Sequence, residues 1–185
     1  MIQDIKQEAD ARMDKTLASL DSAFAKIRTG RAHPGILDGI MVDYYGNQTP
    51  LKQVANILVE DARSLLITPW EKPLIPLIEK AILKSDLGLN PATSGDNIRL
   101  PMPPLTEENR RELAKLARSE AENARVAIRS IRRDANDDLK EFLKEKEISQ
   151  DDFHRGEELV QKLTDQKIRS VDSALESKEA DLLDF

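Results

Sequence analysis

All nine prolines of this 185-residue chain, and six of its seven glycines, fall between residues 30 and 104. Proline fixes φ and removes a backbone donor, while glycine supplies turn conformations, so this clustering confines the breaks to the middle of the chain. The flanks are left free for long uninterrupted helices. The pattern predicts a helical domain, residues 1–29 plus 106–185, with a small turn-rich domain, residues 31–104, inserted into it. Two chain crossings then join the parts, one at Thr29, Gly30 and Arg31 and the other at Pro103, Pro104 and Leu105. Paired short linkers of this kind predict a hinge near 29–31 and 103–105.

Apolar periodicity supports the helices. Ile2, Ile5, Ala9, Met13, Leu17, Leu20, Phe24 and Ile27 recur every three or four residues before Gly30. After the prolines, Thr106 is a candidate N-cap, with Glu107 and Glu108 in the first turn. The stripe that follows is Leu113, Leu116, Ala117, Ala121, Ala124, Ile128, Ile131, Ala135, Leu139 and Phe142. It spans ~35 residues, or ~50 Å, and a helix of that length needs partners of similar length. Ser149 offers a third start, with Asp152 three residues on and Phe153, Val160, Leu163, Val171, Leu175 and Leu182 behind it. Three helices with one stripe each make a three-helix bundle. In the insert, residues 40–45 and 48–51 flank Gly46-Asn47, and 56–60 and 64–68 flank residues 61–63, which predicts two hairpins. Residues 73–83 carry a helical pattern and 97–100 a returning strand, so the fold class is α+β.

Composition narrows the function. Charged residues are 34% of the chain and aromatics 4%, a balance of long solvated helices rather than a base-stacking platform. The chain has no cysteine, which removes disulfides and thiolate metal sites and makes a reducing compartment, the cytoplasm, the expectation. No apolar run approaches the ~20 residues of a membrane span, and the first residues carry no secretory signal. His33 and His154 stand in no metal-ligand or catalytic spacing, and no phosphate loop, nucleophile elbow or dinucleotide fingerprint is present. Binding without catalysis, cofactor or metal is the expectation. Rivals are a helical adaptor for a protein client and an enzyme built on an unrecognised carboxylate pair. Trp70 and the pair Tyr44-Tyr45 are expected to serve packing of the small domain.

The net charge of −6 is unevenly spread. Residues 106–133 carry eight basic side chains against five acidic, and residues 134–185 carry 16 acidic against eight basic. On a helical wheel Arg118, Arg125, Arg129, Arg132 and Arg133 fall within a sector of ~100° beside the apolar stripe, with Glu122 the main acid among them. Lysine is absent from that face. The guanidinium fork grips phosphates bidentately, which points to RNA held chiefly through its backbone. The competing account is structural: arginine stems covering the edge of a bundle core, paired with the acidic third helix.

Three strings are specific: residues 26–32 (KIRTGRA), residues 86–91 (DLGLNP) and residues 103–108 (PPLTEE). With the run 125–136 and the corner Lys146-Glu147-Ile148-Ser149, they resemble the ribosome recycling factor family over the whole chain. Asn109 departs from the family, which usually carries a charged residue there. The resemblance implies an L-shaped, elongated two-domain molecule, monomeric and cytoplasmic. Its bundle would lie on the large ribosomal subunit, and its inserted domain would be pushed by elongation factor G. With that factor and GTP it would split the post-termination ribosome, releasing messenger and transfer RNA and hydrolysing nothing itself. The resemblance further implies that Arg129 and Arg132 contact large-subunit ribosomal RNA, supported by Arg125 and Arg133, with Arg28 and Arg31 near the first crossing.

Overall fold

The computed structural model describes residues 1–183. Its helices are α1 (Ile2–Lys26), α2 (Leu74–Lys84), α3 (Glu107–Lys144) and α4 (Gln150–Leu183). Its strands are β1 (Met41–Tyr44), β2 (Asn47–Pro50), β3 (Ala55–Asp61), β4 (Ser64–Pro69), β5 (Ala92–Ser94) and β6 (Asn97–Pro101). The chain forms two compact units, residues 1–24 with 114–180 and residues 25–113 with 181–183; the division falls within α1 and α3.

The first unit is made of the three long helices. α1 buries Ile5, Ala9, Met13, Leu20 and Phe24. α3 buries Ala114, Ala117, Ala121, Ala124, Ile128, Ile131, Ala135 and Leu139, in steps of three or four residues. The expected stripe is corrected at its start, because Leu116 is exposed and Ala114 is buried in its place. Leu116 lies about 100° around the helix from Ala117, on the side away from the buried stripe. α4 contributes Phe153, Val160, Leu163 and Val171. Gly156, the one glycine outside the central cluster, marks a close approach: a Cβ there would stand 2.9 Å from Leu139 Cδ2. Polar staples join the same helices. Lys167 of α4 reaches Asp10 and Asp14 of α1 at 2.7 and 2.6 Å, and Arg12 of α1 meets Asp134 of α3 at 3.1 Å.

Helix ends are closed by the expected groups. Thr106 Oγ1 accepts the Asn109 N–H at 3.1 Å, and because that bond uses the main chain, the Asn109 side chain plays no part in it. Ser149 Oγ accepts the Asp152 N–H at 3.0 Å, and Asp152 Oδ2 accepts the Ser149 N–H at 3.5 Å, a reciprocal capping box. Between α3 and α4 the Glu147 N–H reaches the Phe142 carbonyl at 2.9 Å and the Lys146 N–H that of Leu143 at 3.0 Å. These two bonds define a Schellman close, with Lys146 in the left-handed position at φ 58°.

The second unit holds the sheets. β3, β4, β6 and β5 form an antiparallel sheet in that order, and β1 pairs with β2 in a separate hairpin. Alternation places Leu65 and Ile67 of β4, and Ile98 and Leu100 of β6, in one core. α2 adds Leu74, Ile78 and Ile82, spaced one turn apart. Two expectations need correction. The β1–β2 turn is centred on Tyr45-Gly46, not Gly46-Asn47: both central residues have positive φ, 50° and 84°, and Asp43 Oδ1 accepts the Gly46 N–H at 3.0 Å. β5 is a strand that the pattern did not suggest, since Ala92, Thr93 and Ser94 are all exposed and show no alternation.

Lysine pays a steric cost in the left-handed region that glycine avoids. Lys146→Gly is therefore expected to raise stability by about 0.5–1 kcal/mol. In urea unfolding followed by circular dichroism the midpoint should rise with the slope unchanged.

Candidate nucleic-acid interface

The arginine face of α3 divides into two groups. Arg118 Nε meets Glu179 Oε1 at 2.7 Å, and Arg125 meets Asp172 Oδ1 through Nε and Nη2 at 2.9 and 2.7 Å. From one pair to the next the partners step seven residues forward on α3 and seven back on α4, as antiparallel helices require. The next rung would join Arg132 to Asp165. It is not formed: Asp165 Oδ1 instead accepts from Gln161 Nε2 at 2.9 Å. Arg132, half-buried, and Arg133, exposed, have no ion-pair partner among the described residues.

Arg129 stands between these groups. Its Nη1 lies 3.4 Å from Glu122 Oε1, while Glu122 Oε2 accepts from Arg125 Nη1 at 3.0 Å. The Arg125 bond, with a smaller one from Arg129, holds the Glu122 carboxyl below the usual carboxylate range. Since the folded form has the lower pKa, this group's contribution to stability is present above its unfolded pKa and is lost as pH falls through the folded one. Asp172 raises the Arg125 pKa, chiefly by hydrogen bonding, so that arginine stays charged. One turn beyond Arg132, the Asn136 Oδ1 atom is buried and lacks a donor among the described residues. Sequence reasoning offers pairing with the acidic third helix but not which arginines it takes, although Asp172 and Glu179 repeat the spacing of Arg118 and Arg125, and it has no signal for the buried Asn136 atom.

Arg28 and Arg31 belong to the other unit. Arg28 Nη2 donates to the Pro103 carbonyl, its Nε is buried without an acceptor among the described residues, and burial lowers its pKa. Arg31 is exposed; its N–H donates to Thr29 Oγ1 at 3.2 Å, and its carbonyl accepts the Thr29 hydroxyl at 3.3 Å. Thr29 thus closes a small brace around Gly30, whose φ is not in the positive region and around which a Cβ would meet nothing within 4 Å. Both crossings end on one turn of the sheet: the Ala32 N–H donates to the Ala62 carbonyl at 2.8 Å and the Met102 N–H to the Arg63 carbonyl at 2.6 Å. Pro103 and Pro104 are exposed, and Leu105 is buried. Arg110, at the start of α3, is buried and directs Nε and Nη1 toward the Leu105 and Leu182 carbonyls, each at 3.4 Å.

The histidines have local roles. His33 Nδ1 accepts the Gly35 N–H at 2.9 Å, and His154 lies 3.7 Å from Glu157. No group of three or more metal-ligating side chains occurs among the described residues, and no helix is long and apolar enough to cross a membrane.

An α+β architecture of three long helices and a small antiparallel sheet, with a cationic helix face, defines the class of protein. The family model described as ribosome recycling factor matches residues 20–183. The ribosome-recycling factor of Hahella chejuensis is 62% identical over 183 residues, covering 99% of each chain, and that of a Marinomonas species is 60% identical over the full length of both. A solution structure of a ribosome recycling factor superposes with a TM-score of 0.78 at 38% identity, covering 100% of this chain and 98% of the other. A second solved structure has a TM-score of 0.72 at 43% identity and 99% coverage of both chains. It represents the T. thermophilus ribosome recycling factor and the E. coli elongation factor G bound to the E. coli post-termination complex. The chain belongs to the ribosome recycling factor family.

The two arginine groups should separate in a stability measurement. Arg125→Ala removes two inter-helix contacts and is expected to cost up to about 1 kcal/mol, as partly solvated ion pairs do. Arg132→Ala should leave the urea midpoint unchanged within a few tenths of a kcal/mol.

Proposed function

We propose that this chain binds the post-termination ribosome through large-subunit ribosomal RNA and, with elongation factor G and GTP, splits it into subunits. It does so in the cytoplasm, as a monomer and without catalysis of its own. The observation that carries the reading is the end of the ion-pair ladder. Arg118 and Arg125 are satisfied by α4, whereas Arg132 and Arg133 are not, and Arg129 has only the exposed Glu122. Unmatched guanidiniums along one helix face suit phosphates. Arg129, Arg132 and Arg133 are thus the principal contacts. Arg125 divides its charge between RNA and Asp172, and Arg28 and Arg31 add cations near the first crossing.

The parts proposed to move against each other are residues 1–29 plus 106–185 and residues 31–104, bounds that lie nearer the crossings than those of the compact units, with the hinge at Thr29, Gly30, Pro103, Pro104 and Leu105. The bundle is the anchored rod, and the small domain receives the push of elongation factor G. Supporting the hinge is Gly30, where neither φ nor crowding requires a glycine in the present conformation. Its freedom is then useful in another one.

Light scattering of post-termination ribosomes mixed with the protein, elongation factor G and GTP should fall as subunits separate. The Arg129→Ala/Arg132→Ala variant should split poorly, bind more weakly by at least tenfold, and lose about 0.7–0.9 from the salt slope per phosphate contact removed. Equal splitting by a folded double variant would remove the arginine face from the mechanism. A cross-link between the two crossings should leave ribosome binding intact and abolish splitting; normal splitting by the locked protein would remove the hinge.

A further inference from the structure

A second feature lies wholly within the sheet-bearing unit. Trp70 is 69% exposed and Tyr45 79% exposed, so neither serves the packing expected of it; only Tyr44 packs against the core. Tyr45 occupies the left-handed region at φ 50°, a conformation that a bulky residue adopts only under constraint from its surroundings. The constraint is visible in its side chain. The Tyr45 hydroxyl donates to Glu71 Oε2 at 2.9 Å, the Tyr44 hydroxyl donates to Glu71 Oε1 at 3.3 Å, and the two rings meet edge to face with centroids 4.6 Å apart. One carboxylate is therefore fixed by two phenols, one on each oxygen. The phenols are held protonated: burial and then Glu71 raise the Tyr44 pKa, and the Glu71 hydrogen bond raises that of Tyr45.

Glu71 has no ion-pair partner among the described residues. Its neighbour Lys72 is directed instead to Asp96 at 3.3 Å. Beside it opens a depression of about 370 Å³, lined by Tyr44, Gln53, Val54, Trp70, Glu71 and Leu74. An oriented carboxylate with unused lone pairs, next to exposed aromatic faces, repels phosphate and is poorly matched to an apolar plug. It suits a cation that can both accept stacking and donate in pairs, which is the guanidinium rather than the compact ammonium. An exposed tryptophan beside such a group is also the residue type that dominates protein interfaces.

We propose that Tyr44, Tyr45, Trp70 and Glu71 form a recognition site for an arginine side chain presented by a protein partner. The site is independent of the arginine face of α3, and its test needs no ribosome. Trp70 is the only tryptophan in the chain, so its emission reports occupancy directly. The full chain is titrated with a short arginine-rich peptide, with a lysine peptide of equal length and charge, and with a single-stranded RNA oligonucleotide. A saturable change in Trp70 emission is expected with the arginine peptide, at least tenfold weaker with lysine and absent with RNA. Glu71→Gln should weaken arginine binding at least tenfold. Glu71→Asp, which keeps the charge but withdraws it from the phenols, should lose the preference for arginine over lysine. Asp86→Asn, an equal charge change at an exposed position outside the depression, should bind as the wild type does. Circular dichroism establishes that each variant is folded. Equal weakening by Glu71→Gln and Asp86→Asn, no Trp70 response to the arginine peptide, or a larger saturable Trp70 response to RNA than to that peptide would overturn the proposal. A brace that only fixes the hairpin would move the melting temperature of the Glu71 variants and leave Trp70 emission indifferent to peptide.

Discussion

The structure of the helical unit depends on burying one narrow stripe of α3. Five of its eight core positions are alanine, namely Ala114, Ala117, Ala121, Ala124 and Ala135. Small side chains give little apolar area of their own, so the stripe is stabilised only if α1 and α4 come close and cover it from both flanks. Gly156 facing Leu139 shows the same demand on α4. A 38-residue helix buried along one narrow stripe has most of its circumference left over. That remainder is where the arginines stand, on a surface whose position is fixed by the alanines rather than by the arginines themselves.

The helical architecture was legible because its signals are local and repeated: breakers confined to the middle, stripes at three and four residues, and caps at Thr106 and Ser149. Where the structure departs from the pattern, the cause has no local signature. Leu116 is apolar but lies on the wrong side of the wheel, a matter of angle rather than composition. The β1–β2 turn lies one residue earlier than the pattern suggests, because Gly46-Asn47 is a favoured turn sequence and Tyr45 in the first position is not. β5 has three exposed polar or small residues, and only pairing with β6 makes it a strand. For the arginine face the residue types and their sector were readable. Which arginines α4 would occupy was not, because that depends on the register between two helices distant in sequence.

The two accounts of the arginine face apply to different residues, the pairing seen in the structure and the binding proposed. The structural account describes Arg118 and Arg125, whose partners are on α4. The binding account is left with Arg129, Arg132 and Arg133, toward the α4-proximal end of α3. The chain's excess of acid does not oppose this, since much of that acid serves within the molecule: Asp172 and Glu179 meet α3, and Asp10 and Asp14 meet Lys167. Charges farther away than the screening length of ~8 Å are largely screened, so phosphate contact is decided by the charges within it and not by the net charge of the chain.

Glu122 joins the two groups. Its carboxylate touches Arg125 through one oxygen and Arg129 through the other, so it holds two guanidiniums in register on the helix surface. An exposed pair such as Glu122–Arg129 is worth only a few tenths of a kcal/mol, well below a charge-assisted bond to phosphate in a partly desolvated interface. An incoming phosphate can therefore displace the carboxylate from Arg129 at small cost, while Arg125 remains tied to Asp172 and keeps the helices aligned. On the proposed RNA-binding reading, the acid within the basic face is an orienting placeholder, strong enough to limit the wandering of a long side chain and too weak to compete with a phosphate.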